Sequence, residues 1–228
     1  MAYRKKAGFI LKHKPDIVIV PECEHPDKLK FNTGTLMPTD IFWYGTNPNK
    51  GLGIFSYSSY RFKLLATHKP DFSIVLPIIV TGKKLDFTLF AIWANNPRDK
   101  KYQYIGQVWK AINHYADLLK NKKTILIGDF NSNTIWDKPR RKGNHSTVVN
   151  FLKSKGIQST YHKFFNQQQG QEDQKTLFMY RHKDKSYHID YCFASNDFIK
   201  KMTKVEVGTY KDWIKYSDHT PLSVIFKI

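Results

Sequence analysis

The stretch KTILIGDFNSN, residues 123–133, carries a short apolar run into a glycine, a carboxylate, an aromatic and an amide. A continuous apolar run bounded by such residues reads as a strand buried on both faces. If the strand period continues past Gly128, Asp129 and Asn131 share one face and Phe130 turns to the other, toward packing. Polar groups just beyond the carboxyl ends of buried strands are where mixed α/β proteins bind ligands. The stretch therefore points to an architecture and to a site at once. Taken alone, Asp129 and Asn131 also suit a simple turn.

Three more stretches repeat the pattern: DIVIVPECEH (16–25) with Glu22 and Glu24, YHIDYCF (187–193) with His188 and Asp190, and YSDHTPL (216–222) with Asp218 and His219. Several carboxylates, an imidazole and an amide converging in one crevice would bind a hard cation, Mg²⁺ or Mn²⁺, through oxygen ligands. Such a cation polarises a phosphoryl oxygen and acidifies a bound water, while His219 moves a proton or stabilises a pentavalent phosphate. The plainer readings are a strand-end charge at Glu22, a satisfied buried polar group at His188 or Asp190, and a cap before Pro221 at Asp218 and His219.

Around these stretches, YRKKAGFILKHK predicts a helix ended before Pro15, and IFWYGTNPNKGLGIFS and FSIVLPIIVTGKKLDFTLFAIWA each predict two strands about a turn. Apolar residues at three-and-four spacing predict one helix over 102–120, and NHSTVVNFLKSKG a capped helix closed by Gly156. KTLFMYR and SYHIDYCFA read as strands, NDFIKKM as a short helix, KVEVG and PLSVIFKI as strands, and NQQQGQEDQ as a surface loop. His145 reads as a helix-start residue and His114 as a surface one. Adjacent strands with helices inserted between them predict an α/β chain: two packed mixed sheets flanked by helices, in one domain spanning 1–228. There is no GxGxxG and no GxxxxGK[ST].

The 228 residues are 41% hydrophobic and 25% charged, which fits a folded protein and excludes a disordered one. Lys and Arg number 37 against 19 Asp and Glu, a net charge of +18, which predicts a polyanionic partner such as nucleic acid; a merely solvated basic surface is the alternative. Cys23 and Cys192 are the only cysteines and have no zinc-type spacing, which suits a reduced cytoplasmic setting with no membrane segment.

The ordered set of Glu22 after an apolar strand, GDFNS, HIDY and SDHTPL resembles the endonuclease/exonuclease/phosphatase superfamily of DNase I-like nucleases and abasic-site endonucleases. The resemblance runs from Glu22 to Leu222. It implies a four-layer sandwich and phosphoester hydrolysis dependent on Mg²⁺ or Mn²⁺. It also implies Glu22 as a metal ligand with Glu24 as a substitute, Asp129 orienting or deprotonating the attacking water, and Asn131 holding the phosphate. Asp190 and His219 would pair at the scissile phosphate, and Asp218 would bind metal or form a hydrogen bond. Two departures stand out. Trp93, followed by Asn95 and Asn96, takes a place where many relatives carry a His or Tyr, and Trp cannot relay a proton; it is a substrate-binding candidate or a plain core residue. The chain also opens on a helix where relatives open on a strand, so Met1 reads as an internal methionine with about ten residues before it. Lys138, Arg140, Arg141 and Lys142 lie close enough to GDFNS to touch a nucleic-acid backbone, or form a solvated loop. The expected activity is a nuclease, monomeric and acting on DNA more than RNA. The alternatives are a phosphatase or phosphodiesterase on a lipid headgroup or small nucleotide, and a catalytically impaired nucleic-acid binder.

Overall fold

The computed structural model describes residues 3–72, 75–95 and 102–228. In chain order they form α1 (Tyr3–Ile10), β1 (Ile17–Cys23), β2 (Asp40–Asn47), β3 (Lys50–Ser56), β4 (Arg61–Leu64), β5 (Val75–Thr81), β6 (Phe87–Trp93), α2 (Ile105–His114) and β7 (Thr124–Asp129). There follow α3 (His145–Ser154), β8 (Ile157–Ser159), α4 (Thr160–Phe165), β9 (Leu177–Phe178), β10 (Ser186–Tyr187), β11 (Asp190–Ser195), α5 (Asn196–Ile199), β12 (Met202–Val207), α6 (Tyr210–Trp213) and β13 (Leu222–Phe226).

Six strands make the larger sheet in the order β4-β5-β6-β7-β11-β8, and β1-β3-β2 make the second. Among the described strands β6 and β7 are the one parallel pair; all other neighbours run antiparallel. Strand periodicity sets the layers. Leu76, Ile78, Val80, Leu89, Ala91, Ile125, Cys192 and Ala194 face Leu52 and Ile54 of the second sheet, and Leu222, Val224 and Phe226 of β13 pack on the same core. Their alternates Phe90, Ile92, Leu126, Tyr191 and Phe193 pack under α2 and α3. Tyr3 and Ala7 of α1 cover Val18, Val20 and Phe55 on the far side. The result is four layers, helix, sheet, sheet, helix, as the sequence predicts. Each fully buried aliphatic or aromatic side chain contributes roughly 2 kcal/mol.

Gly128 answers why a glycine precedes the carboxylate. Its φ is +139°, and a Cβ there would lie 2.0 Å from the Ile92 carbonyl oxygen on the parallel neighbour. Gly128→Ala is expected to lower stability by about 3 kcal/mol, measured as the shift in urea midpoint at unchanged slope; a loss below about 1 kcal/mol would show that β6 yields at this point.

Several local expectations need correction. The predicted helix over 102–120 is helical only over Ile105–His114, after which Tyr115 leaves helical geometry and a 3-10 turn at Leu118–Lys120 buries Leu119. Tyr115 and Leu119 keep the apolar period because both still point into the core. KTLFMYR is a strand only at Leu177–Phe178 and then a 3-10 turn, and SYHIDYCFA is broken at His188 and Ile189. The α3 N-terminus is capped from Asp137, whose carboxylate accepts from the His145 and Ser146 amides at 2.8 and 3.0 Å.

Candidate active site

β7 delivers Asp129 to the end of the larger sheet, between Trp93 of β6 and Asp190 of β11, its register partners on either side. The Asp129 carbonyl accepts from the Ala94 amide at 2.8 Å, and Phe130 N–H donates to the Ile189 carbonyl at 3.0 Å. Backbone bonds thus fix the position from both sides. Asn131 is brought to Asp129 by a turn and not by continued strand: φ is +48° at Asn131, and its amide N–H donates to Asp129 Oδ1 at 2.8 Å. This is an Asx turn. Phe130, fully buried, faces packing as the period predicts. Asn131 Nδ2 donates to Asp129 Oδ2 at 3.0 Å and to the Ala94 carbonyl at 2.9 Å. As placed, Asn131 spends both amide protons orienting Asp129, and it reaches a phosphate only by exchanging one of those bonds.

Asp190 opens β11, and its Oδ2 lies 2.9 Å from His219 Nδ1. Thr176 sets this pair: its hydroxyl accepts from the Ile189 and Asp190 amides at 2.9 and 3.0 Å, and its carbonyl accepts from the Thr220 amide at 2.8 Å. Leu177 also bridges to His219. Thr176 is a site residue that sequence reading missed, because nothing in KTLF signals that the threonine ties two distant segments together. Asp129, Asp190 and His219 each place a ligand atom within 4.8 Å of the others.

Electrostatics divides their labour. Burial, then the neighbouring Asp190, pushes the Asp129 carboxyl well above the usual carboxylate range, against the pull of His219 and the Asn131 amide. Burial alone would lower His219, but the Asp190 carboxylate, with Asp129 and Asp218 behind it, overcomes this and raises it to about 9. The imidazole is therefore a cation at neutral pH, with Nδ1–H committed to Asp190. Its Nε2–H is the end that can meet an incoming oxyanion.

The remaining candidates are spread around this centre. Glu22, at φ +57° in a bulge of β1, lies within electrostatic range of Asp129, but its Oε1 pairs with Lys50 Nζ at 2.8 Å and it stands outside the three-residue cluster. Glu24 is occupied by the fold: it accepts from the Tyr3 amide at 2.9 Å and pairs with Arg4 at 2.6 Å. Asp218 acts on His219 and on Lys6, an α1 side chain whose pKa burial lowers despite Asp218, Glu24 and Glu22 nearby. Trp93 is half-buried beside Asp129, and the Asn95 carbonyl accepts from the Tyr104 amide at 3.0 Å. Asn96 lies outside the described residues. Arg140 is exposed on the loop after the centre, and Arg141 Nη2 is held by the Gln103 carbonyl at 2.8 Å.

No protein-family model matches the chain, and no curated protein does. Solved structures do. The 3' phosphatase NExo from Neisseria, bound to a product DNA hairpin, superposes with a TM-score of 0.71 at 20% identity, over 98% of this chain and 94% of that one. An AP endonuclease from Archaeoglobus fulgidus gives 0.69 at 16% identity, over 97% and 93%. An endonuclease/exonuclease/phosphatase family protein from Leptotrichia buccalis gives 0.58 at 15%, over 99% and 92%. The chain has the DNase I-like fold.

In this DNase I-like chain two carboxylates and an imidazole converge, and burial, with the neighbouring Asp190 second, raises Asp129. The two carboxylates fit a hard divalent cation, which would relieve their mutual repulsion. Behind the centre lies a network that sequence reading also missed. Asn133 Nδ2 donates to Glu172 Oε2 at 3.0 Å and to the His188 carbonyl at 3.0 Å, while Glu172 Oε1 meets His162 Nε2 at 3.0 Å. His145, fully buried, meets Ser132 Oγ at 2.8 Å and Gln169 at 3.1 Å. The glutamine-rich segment is thus not only a surface loop: Glu172, 2% exposed, ties it to Asn133 just past the Asp129–Asn131 turn.

Proposed function

We propose that this protein is a divalent-metal-dependent phosphodiesterase, a nuclease that hydrolyses DNA phosphodiester bonds by in-line attack of water. The observation that carries the reading is the convergence of Asp129, Asp190 and His219 within 4.8 Å at the ends of β7, β11 and the segment before β13. Asp129, fixed by Asn131, orients the attacking water and takes its proton. His219, kept protonated by Asp190, donates Nε2–H to the phosphoryl oxygen as negative charge builds there. The carboxylates of Asp129 and Asp190, with Glu22 beside them, would hold Mg²⁺ or Mn²⁺, which would supply Lewis-acid polarisation of the phosphate and acidify water; the protonated His219 stays outside the coordination.

The net charge of +18 and a DNA-bound neighbour of the same fold support DNA as the substrate. The free thiols of Cys23 and Cys192 suit work in the cytoplasm, and we read the protein as a monomer. No helix among the described residues is long and apolar enough to cross a membrane. The test is cleavage of a supercoiled plasmid and of a labelled single strand with Mg²⁺, Mn²⁺ or EDTA. Nicking or shortening that requires metal is the expected result. Intact DNA under both metals, with a small phosphodiester hydrolysed instead, would move the substrate away from nucleic acid.

A further inference from the structure

We propose that Lys50 is a phosphate-binding residue of this site, its ammonium taking a backbone phosphate of the substrate as an anionic partner in place of Glu22. The inference rests on the nuclease reading. Lys50 opens β3 directly after the two-residue turn Pro48-Asn49, where it pairs with Asn47. That hairpin is tied down. The Asn49 amide donates to Asn47 Oδ1 at 2.9 Å, Lys28 Nζ donates to Asn49 Oδ1 at 2.7 Å, and the His25 amide donates to the Pro48 carbonyl at 2.9 Å. Next in the chain, Gly51 lies flat against the Trp43 indole, where a Cβ would come within 2.3 Å. The Lys50 side chain leaves this hairpin nearly half exposed.

Its ammonium is drawn toward the centre by two partners from different sheets. Glu22 Oε1 of β1 lies 2.8 Å away, and the Trp93 ring of β6 lies under it at 5.6 Å. Trp93 is the register neighbour of Asp129, so the cation stands one strand from the general base. An incoming phosphodiester meets Asp129, Asp190 and Glu22, all acidic, and needs positive charge besides His219. Lys50 and Glu22 are both nearly half exposed. The ammonium can therefore pass from carboxylate to phosphate by rotation of its own side chain, with the Trp93 ring beside it as a cation–π partner. Trp93, which cannot relay a proton, acquires a use as that partner.

A surface ion pair by itself does little, and this molecule contains a matched one. Lys204 and Glu206 on β12 pair at 2.7 Å with nearly the same exposures, 53% and 44% against 48% and 44%. The experiment measures binding of a fluorescent duplex in EDTA across a salt series for the parent, Lys50→Ala, Lys50→Arg and Lys204→Ala. Lys50→Ala is expected to weaken binding about fivefold or more and to flatten the slope of log K against log salt by about 0.9, the share of one phosphate contact. Lys50→Arg should restore the slope, and Lys204→Ala should leave it at the parent value. With metal, Lys50→Ala should raise KM more than it lowers kcat. A parent that binds and cuts DNA with a slope that Lys50→Ala does not move, or moves no more than Lys204→Ala, overturns the inference and leaves the nuclease reading standing. A parent that neither binds nor cuts overturns both.

Discussion

Replacing Asp129 by asparagine is expected to cut metal-dependent cleavage roughly a thousandfold while leaving the metal-free protein at least as stable as the parent at about pH 7.5. The loss of turnover follows from losing the carboxylate held by both the backbone and side-chain amides of Asn131. The stability result follows from the sign of the Asp129 shift. Its folded pKa lies above the unfolded value, so the native state holds the proton more tightly, and stability declines as pH rises through and above the ordinary carboxylate range. Asparagine has no such ionisation. Urea unfolding in EDTA reads the second half directly. A variant less stable than the parent by more than about 1 kcal/mol would show that the hydrogen bonds to Asn131 outweigh the buried charge.

Asp190→Asn should act through His219. With the pairing carboxylate gone, burial is opposed only by the more distant Asp129 and Asp218, and the imidazole should titrate well below about 9. Cleavage is then expected to fall on the order of a hundredfold at neutral pH. In the parent, the raised folded pKa means that the His219 pairing contributes its full stability below about pH 6.5 and loses it as pH rises through about 9. In EDTA the parent's unfolding midpoint should therefore drop across that interval, and the variant's should not. The His219 ring resonances give an independent readout: a midpoint that stays put in Asp190→Asn would mean that the 2.9 Å contact is not what raises it.

Much of the layout was legible because burial and strand period coincide. TILI and FTLFAIW alternate between the inter-sheet core and the one under α2 and α3, DIVIV between the inter-sheet core and the one under α1, and each ends in polar residues that the sheets carry to one edge. Asp129 and Asn131 could be picked out for that reason, whereas Asp190 opens β11 and His219 precedes β13, at the amino ends of their strands. The means of their approach could not. Asn131 meets Asp129 through a left-handed turn, which a strand pattern does not encode. Glu22 and Glu24 are alike as letters, yet the Tyr3 amide and Arg4 consume one and leave the other beside the site. Thr176 and Glu172 were invisible since their partners lie in other segments, Asp190 and Thr220 for one, Asn133 and His162 for the other. The α4 helix escaped because its six residues are too few to show a period.

The parallel pairing of β6 with β7 has a kinetic consequence. Antiparallel hairpins such as β2–β3 and β5–β6 can close locally, whereas β6–β7 waits for the intervening segment to cross over, and Asp190 and His219 must arrive from farther still. Contacts of such separation form late, after the entropy of closing long loops has been met. The amide hydrogens of Phe130 and Ala94, bonded across those junctions, should then exchange with solvent only on global unfolding. Assembly of the Asp129, Asp190 and His219 cluster and completed folding become one event, so a half-folded chain already carries its cationic excess but not the assembled centre.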